Sequence, residues 1–235
     1  MKPIRLFRHI NCGSPGYLDQ FLENHGVPFE VVCVGDATNV PYSIDDISGL
    51  VFMGGPGDVN SPIDWMRQEE ALIQRAAASG IPVMGICLGG QMIARAMGGQ
   101  VSSDYRLEVG WHHVEPVAGA EHQSWLQGLP PRFEVFQWHA HEFQIPPGAT
   151  PLLSSRCTPC QAFAMDNMLA MQFHLEVTAK TVRGLTREYS GDMHEQSSCV
   201  QQAGELCDQL EERLDGLHRT ADLIYSNWLA RVENH

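Results

Sequence analysis

Two short segments of the chain carry side chains that together could perform nucleophilic catalysis. In the segment 85–91, Gly-Ile-Cys-Leu-Gly-Gly-Gln, glycines flank Cys87 on both sides. A nucleophile at the tip of a tight strand-to-helix turn needs small neighbours, and the N-terminus of the following helix favours the thiolate. The segment therefore predicts a cysteine nucleophile. The alternative is a buried cysteine in a glycine-rich packing turn.

A cysteine nucleophile needs a base, and the base needs a group that orients it. His174 ends a predicted strand and Glu176 follows two positions later, so both side chains leave the backbone on one face. The carboxylate can hold the imidazole in one tautomer while the other ring nitrogen faces Cys87. A lone histidine at a strand end is more often structural, but the carboxylate and the Cys87 turn together favour a catalytic role.

Acyl chemistry also needs N–H donors for the developing oxyanion. The backbone N–H of Leu88, directly after the nucleophile, is one such donor. The loop Met53–Gly57 follows another predicted parallel strand and reaches the same edge of the sheet, where a glycine lets a backbone N–H approach a substrate closely. Taken alone, this loop is equally consistent with a plain Gly-Pro turn.

The three segments GICLGGQ, FMGGPG and QFHLE, in this order, resemble the class I (triad) glutamine amidotransferases, especially free-standing members similar to the glutaminase domain of GMP synthetase. The resemblance covers roughly residues 1–180. It implies hydrolysis of the γ-amide of glutamine through a γ-glutamyl thioester. It also implies these roles: Cys87 as nucleophile, His174 as base, Glu176 as its orienting group, Gly55 and Leu88 as the oxyanion hole, and Gly57 and Gln91 as lining of the glutamine pocket.

Two positions depart from the family pattern. Leu175 stands between the triad histidine and glutamate, where the family usually has proline, which contributes stiffness and no chemistry. The segment Trp138-His139-Ala140-His141 stands where the family often has Ser-His-x-Asp, whose residues help hold the α-substituents of the substrate. Trp138 and His139 are therefore expected in the substrate pocket. A rearranged rim would favour a substituted γ-glutamyl compound over free glutamine.

Strand and helix patterns alternate through the first hundred residues and predict a parallel sheet with helices on both faces. Predicted strands lie at 2–8, 29–34, 50–53 and 81–86, and predicted helices at 17–25, 64–79 and 88–97. After residue 100, short strands at 107–117, 133–139, 161–165 and 169–173 predict an antiparallel extension. The fold class is thus α/β, of flavodoxin-like type, with a helical C-terminal tail.

The sequence of the C-terminal region predicts helix at 178–189 and again from about residue 200 onward. We expect a catalytic domain over 1–180 and a helical extension over 181–235. Ser198 and Gln201 have the spacing of a capping box, and apolar residues then recur every three or four positions from Val200 to Trp228. This seam either packs on its own domain, with a break near Gly216, or is shared with a second copy in a homodimer.

Composition limits the partners and the location. The net charge is −13, from 15 basic and 28 acidic residues, which disfavours nucleic acid and acidic membrane surfaces. No run of about 18 apolar residues is present, and the N-terminal residues lack a signal-peptide core, so a cytoplasmic location is expected. The seven cysteines are odd in number and scattered, so they predict no disulfide framework and mostly buried thiols.

Other chemistries compete for some of the same residues. His139, His141, His174 and Glu176 could form a metal site, and Cys157 with Cys160 forms a C-x-x-C pair that could serve redox chemistry or zinc. We expect neither a metal nor a cofactor, because Cys87 already accounts for the histidine and glutamate. The remaining alternatives are a non-catalytic binding or regulatory module on this fold, a stand-alone γ-glutamyl peptidase and an unrelated cysteine ester hydrolase. Expected partners are a small-molecule substrate and a separate synthetase subunit.

Overall fold

A mixed sheet runs through the centre of the molecule in the computed structural model, which describes residues 1–9, 15–35, 40–102, 104 and 106–234. Nine strands of these residues form it in the order β2-β1-β3-β4-β9-β8-β7-β5-β6. The strands are β1 (Ile4–Arg8), β2 (Phe29–Cys33), β3 (Gly49–Phe52), β4 (Val83–Ile86), β5 (Glu108–Pro116), β6 (Phe133–His139), β7 (Thr150–Ser155), β8 (Ala162–Met165) and β9 (Met168–Met171).

The pairing of neighbouring strands changes once across the sheet, from parallel to antiparallel. The half from β2 to β9 is parallel, and the half from β9 to β6 is antiparallel. This confirms the predicted fold class, with its parallel centre and antiparallel extension. Strand β7 is absent from the predicted elements, because Pro151 is typical of a strand breaker. The strand accommodates it through a register shift between Pro151 and Leu153.

Helices cover both faces of the sheet. They are α1 (Tyr17–Asn24), α2 (Asp64–Ala78), α3 (Leu88–Ala96), α4 (Ala179–Glu188), α5 (Ala203–Cys207) and α6 (Leu210–Glu233), with short 3₁₀ helices at Ser124–Leu126 and Ser190–His194. Because side chains alternate along a strand, Leu6 packs in one apolar cluster with α1 and α6, and Phe7 packs in the other with α2 and α3. Among the described residues, no helix is both long and apolar enough to cross a bilayer.

The C-terminal helices pack on this same core. Helix α6 runs without interruption through Gly216, so the predicted break at that glycine is wrong. The chain turns earlier, at Gln209, whose φ of 50° is left-handed. The capping box is formed by Gln202 and Glu205 at the start of α5, four residues after the predicted pair Ser198 and Gln201.

The cysteines correct a second expectation. Cys157 and Cys199, 42 residues apart, form a disulfide, while Cys33 and Cys207 are exposed thiols. The pairing depends on tertiary structure: the Val109 N–H donates to the Cys199 carbonyl oxygen at 2.9 Å, so the C-terminal segment lies beside β5. Cys12 lies outside the described residues.

Candidate active site

Cys87 occupies a strained turn between β4 and α3. Its φ of 51° and ψ of −108° are rare for a residue with a side chain, and Leu88 begins the helix directly after it. This conformation places the sulfur at the C-terminal edge of the parallel strands, beside the N-terminus of α3. Cys87 is nevertheless buried, with only 7% of its surface exposed, so the sulfur lies at the bottom of a pocket.

Close packing of α3 against the sheet explains the flanking glycines. A Cβ on Gly89 would lie 2.0 Å from the Phe52 carbonyl oxygen, and one on Gly90 would lie 2.6 Å from the Met171 carbonyl oxygen. A Cβ on Gly85 would meet the backbone of Gly89. Any side chain at these positions would push the helix off the sheet, and Cys87 would move with it.

His174 and Glu176 lie together just after β9. Nδ1 of His174 and Oε1 of Glu176 are 2.7 Å apart, and the His174 backbone N–H donates to the Phe136 carbonyl oxygen on β6. The carboxylate therefore accepts from Nδ1–H and leaves Nε2 available. Tyr17 at the start of α1 donates its backbone N–H to the Glu176 carbonyl oxygen at 2.8 Å, which fixes the backbone of the pair.

The imidazole of His174 also interacts with Cys87. Burial alone would lower the pKa of His174, but the charges and hydrogen bonds of Glu176 and Cys87 raise this pKa well above its ordinary value. These interactions thus favour the imidazolium form of His174. The structure brings the three predicted triad residues together in the arrangement that nucleophilic thiol chemistry requires.

The loop after β3 passes directly over these side chains. A Cβ on Gly54 would lie 2.8 Å from Cε1 of His174 and 3.5 Å from Cβ of Cys87. Gly55 and Gly57, predicted as oxyanion-hole and pocket residues, follow in the same loop, and the backbone N–H of Leu88 lies at the start of α3. Loop and helix terminus thus converge near the sulfur from two sides.

A cavity of about 430 Å³ opens above Cys87. Every predicted site residue lines it. The lining also includes residues that the sequence patterns did not single out: Arg8 at the end of β1, Thr181 and Leu185 on α4, and Tyr189 and Asp192 directly after it. The region after residue 178 therefore forms one wall of the pocket.

Three residues predicted for the substrate pocket make structural contacts in it. The side-chain amide of Gln91 donates to the His141 carbonyl oxygen at 3.0 Å. His139 lies 3.1 Å from the same carbonyl oxygen through Nδ1 and 3.2 Å from Glu108 through Nε2, so both ring nitrogens are engaged. The indole N–H of Trp138 donates to Oδ2 of Asp192 at 3.0 Å.

Asp192 is the functional-site residue that sequence reasoning missed most clearly. It is half-buried, lies in the 3₁₀ helix outside the three motifs, and lines the pocket with its carboxylate bound to the Trp138 indole N–H. Arg8 brings the opposite charge to the lining. No local pattern marks either residue, since each is isolated in its segment.

Potential metal ligands group at a different place. Among the described residues, ligand atoms of Glu108, His112 and Cys157 lie within 4.8 Å of one another. Cys157 is in the disulfide, and Glu108 accepts from Ser155 and Gln161. These atoms are therefore already occupied by protein contacts.

Comparisons with known proteins agree with this geometry. The family model for glutamine amidotransferase class-I matches residues 12–186. The crystal structure of a glutamine amido transferase from Methylobacillus flagellatus superposes with a TM-score of 0.92 at 34% identity, covering 98% of this chain and 95% of that one.

Curated relatives include glutamine-hydrolysing GMP synthases. The enzyme of Thermomicrobium roseum is 36% identical over 146 residues, which are 59% of this chain and 26% of that protein. One subunit of the Thermococcus kodakarensis enzyme is 30% identical over 132 residues, 55% of this chain and 66% of that subunit. The chain thus spans about a quarter of the length of the first relative. The family model and the full-length structural match place the chain in the glutamine amidotransferase class-I family.

Proposed function

We propose that the chain hydrolyses the γ-amide of glutamine through a covalent thioester on Cys87. The observation that carries this proposal is the Cys87 turn, with His174 beside the sulfur and Glu176 on the far ring nitrogen at 2.7 Å. As a member of its family the chain is an enzyme with a cysteine nucleophile. The residue roles below are the part that experiment must test.

The reaction has two balanced halves. The thiolate of Cys87 attacks the γ-carbonyl carbon of glutamine, and the C–N bond breaks as the His174 imidazolium gives its proton to the amide nitrogen, which leaves as ammonia. Neutral His174 then takes a proton from water, whose oxygen attacks the thioester, and the C–S bond breaks to release glutamate. The backbone N–H groups of Gly55 and Leu88 stabilise the oxyanion formed in each half.

Substitution of the nucleophile tests this assignment. In Cys87→Ser, release of ammonia and glutamate from glutamine falls to background, because the hydroxyl is a far weaker nucleophile beside this base. A glutamine-mimicking electrophile labels Cys87 before the other thiols, which peptide mass spectrometry measures. Labelling at Cys160 or Cys207 with Cys87 unmodified would contradict the assignment.

The amino-acid end of the substrate fits the two charged residues of the pocket wall. Asp192 is placed to receive the α-ammonium group, and Arg8 the α-carboxylate. Asp192→Asn keeps an acceptor for the Trp138 indole N–H but removes the charge. We expect KM for glutamine to rise on the order of 10–100-fold with a smaller change in kcat. Asp215→Asn, on the exposed face of α6, is the matched control. An unchanged KM in Asp192→Asn would refute this role.

The fate of the ammonia follows from the same proposal. The Thermococcus relative is named as one subunit of a GMP synthase, and we propose that a separate synthetase subunit receives ammonia from this chain. Turnover of γ-glutamyl peptides measured beside glutamine separates this role from that of a stand-alone γ-glutamyl peptidase. The cytoplasmic location and the homodimer expected from the sequence stay predictions, to be tested by fractionation and sedimentation.

A further inference from the structure

A further histidine–carboxylate pair lies beneath the active-site loop and takes no part in the proposed chemistry. His9 follows β1 and Glu69 lies on α2, and their side chains are fully buried. Nε2 of His9 is 2.9 Å and 3.1 Å from the two carboxylate oxygens of Glu69. The indole ring of Trp65 stacks on the imidazole with ring centres 4.9 Å apart, so the imidazole has little freedom to turn.

The other ring nitrogen of His9 contacts the loop itself. Nδ1 lies 3.0 Å from the Met53 carbonyl oxygen, which can only accept, so Nδ1 carries a proton and donates it. A Cβ on Gly55 would lie 2.6 Å from Cβ of His9, so the loop backbone rests directly on this side chain. His9 thus contacts the loop on both sides of Gly54.

The planar peptide bond after Met53 links the His9 contact to the active site. The Met53 carbonyl and the Gly54 N–H belong to one planar unit and point in opposite directions. Holding the carbonyl therefore fixes the direction of the Gly54 N–H and the path of the chain into Gly55. Gly54 is the residue that packs against both His174 and Cys87.

Glu69 in turn determines how His9 is held. Nε2 faces the two carboxylate oxygens of Glu69 on α2, while Nδ1 faces the Met53 carbonyl oxygen. Burial raises the pKa of Glu69, although the hydrogen bond and charge of His9 act against this effect. The contact with Glu69 holds the ring so that Nδ1–H stays directed at the loop.

We propose that His9, held by Glu69, is a positioning residue that orients the Met53–Gly54 peptide and thereby preorganises the oxyanion-binding loop. The inference rests on the proposed function, since it takes the loop to bind the oxyanion. The Met53–Gly54 peptide lies at the oxyanion end of the loop, whereas Gly57, expected in the glutamine pocket, lies three residues further on. Misorientation of this peptide therefore affects the transition state more than the bound substrate, and we expect it to lower kcat more than it changes KM.

Two substitutions at His9 separate its two contacts. The amide nitrogen of His9→Asn occupies the place of Nδ1 and can still donate to the Met53 carbonyl oxygen. The amide of His9→Gln reaches the place of Nε2 and keeps only the contact with Glu69. We expect kcat for glutamine to fall on the order of 10-fold or more in His9→Gln and to stay within about threefold of the wild type in His9→Asn.

Substitutions at Glu69 repeat the comparison without changing His9. Glu69→Gln keeps a polar partner for Nε2, whereas Glu69→Leu removes it, so kcat falls further in Glu69→Leu. Arg5→Met is the control for loss of a buried charged side chain. Arg5 lies on β1 and pairs with the exposed side chains of Glu30 and Asp46, away from the loop. This substitution lowers the melting temperature and leaves kcat unchanged.

The outcomes distinguish the two proposals. Cys87-dependent turnover by the wild type, with kcat lost in His9→Gln and kept in His9→Asn, supports the inference. Equal kcat values for these two variants overturn it while leaving the proposed function intact. Equal kcat values for both Glu69 variants overturn it as well, even where a His9 variant fails to fold. Absence of turnover by the wild-type protein overturns the proposed function instead.

Discussion

At the scale of single residues, the charge state of His174 is the quantity that the site controls. Two opposing influences meet there. Burial disfavours the imidazolium, while Glu176 and Cys87 favour it strongly enough to raise the pKa well above its ordinary value. In the proposed reaction, the group that orients the ring therefore also sets the range of pH over which the imidazolium can donate a proton to the leaving amide nitrogen.

Glu176→Gln separates these two contributions. The amide still orients the ring through a hydrogen bond but carries no charge. The effect of burial is then less opposed, so the pKa of His174 falls. We expect kcat to fall on the order of 10–10³-fold, with the alkaline limb of the kcat/KM profile moving to lower pH. Glu188→Gln, exposed on α4, is the matched control. An alkaline limb that stays in place would contradict the assignment of Glu176.

Sequence predicts the residues whose chemistry depends on local pattern. Cys87 is identifiable because its turn requires glycines on both sides, and His174 and Glu176 because residues two positions apart in extended chain share a face. Asp192 and His9 carry no such local requirement. The roles proposed for them depend on contacts, with Trp138 and with Met53, that exist only when distant strands and helices are assembled.

At the scale of elements, α6 is the helix whose role differs most from its expected one. The apolar seam is predicted correctly, yet the predicted break lies at Gly216, since glycine disfavours helix. Burial of Leu214, Leu217 and Ala221 against the core outweighs that preference. The helix also reaches the active site: Nε2 of His218 donates to the Val177 carbonyl oxygen at 3.0 Å, one residue after Glu176.

Trp228→Ala measures how much α6 contributes to the stability of the sheet. The side chain is 1% exposed, and a Cβ on Gly49 at the start of β3 would lie 3.3 Å from its ring. We expect the free energy of unfolding in urea to fall by roughly 3–5 kcal/mol. Leu223→Ala on the exposed side of the same helix is the control, with a loss within about 0.5 kcal/mol. Similar losses in the two variants would show that α6 is peripheral.

At the scale of the whole molecule, the predicted catalytic and C-terminal regions share one core. Leu18 and Phe21 of α1 pack in the same apolar cluster as Tyr225 and Trp228 of α6. The boundary near residue 180 stays a prediction about domain organisation. The seam that could have joined two copies is instead buried within the chain.

Truncation after Ser190 tests this integration. We expect the shortened chain to be insoluble or to lack a cooperative unfolding transition, because the face of the sheet that carries Leu6 and Val51 loses its cover. Circular dichroism during urea titration measures this, and sedimentation of the full-length chain reports its oligomeric state. A truncated chain that is soluble, monomeric and active would refute it.

The position of α6 in the chain has a consequence for folding during synthesis on the ribosome. The nine strands described above are all synthesised before the 24-residue helix that covers one face of their sheet. At about 5–20 residues per second, that helix alone takes roughly 1–5 s to make. Throughout this time Glu176 and Val177 lack the support of His218. A nascent chain therefore contains every proposed catalytic residue before its pocket is complete, and we expect hydrolysis of glutamine only after α6 has been synthesised.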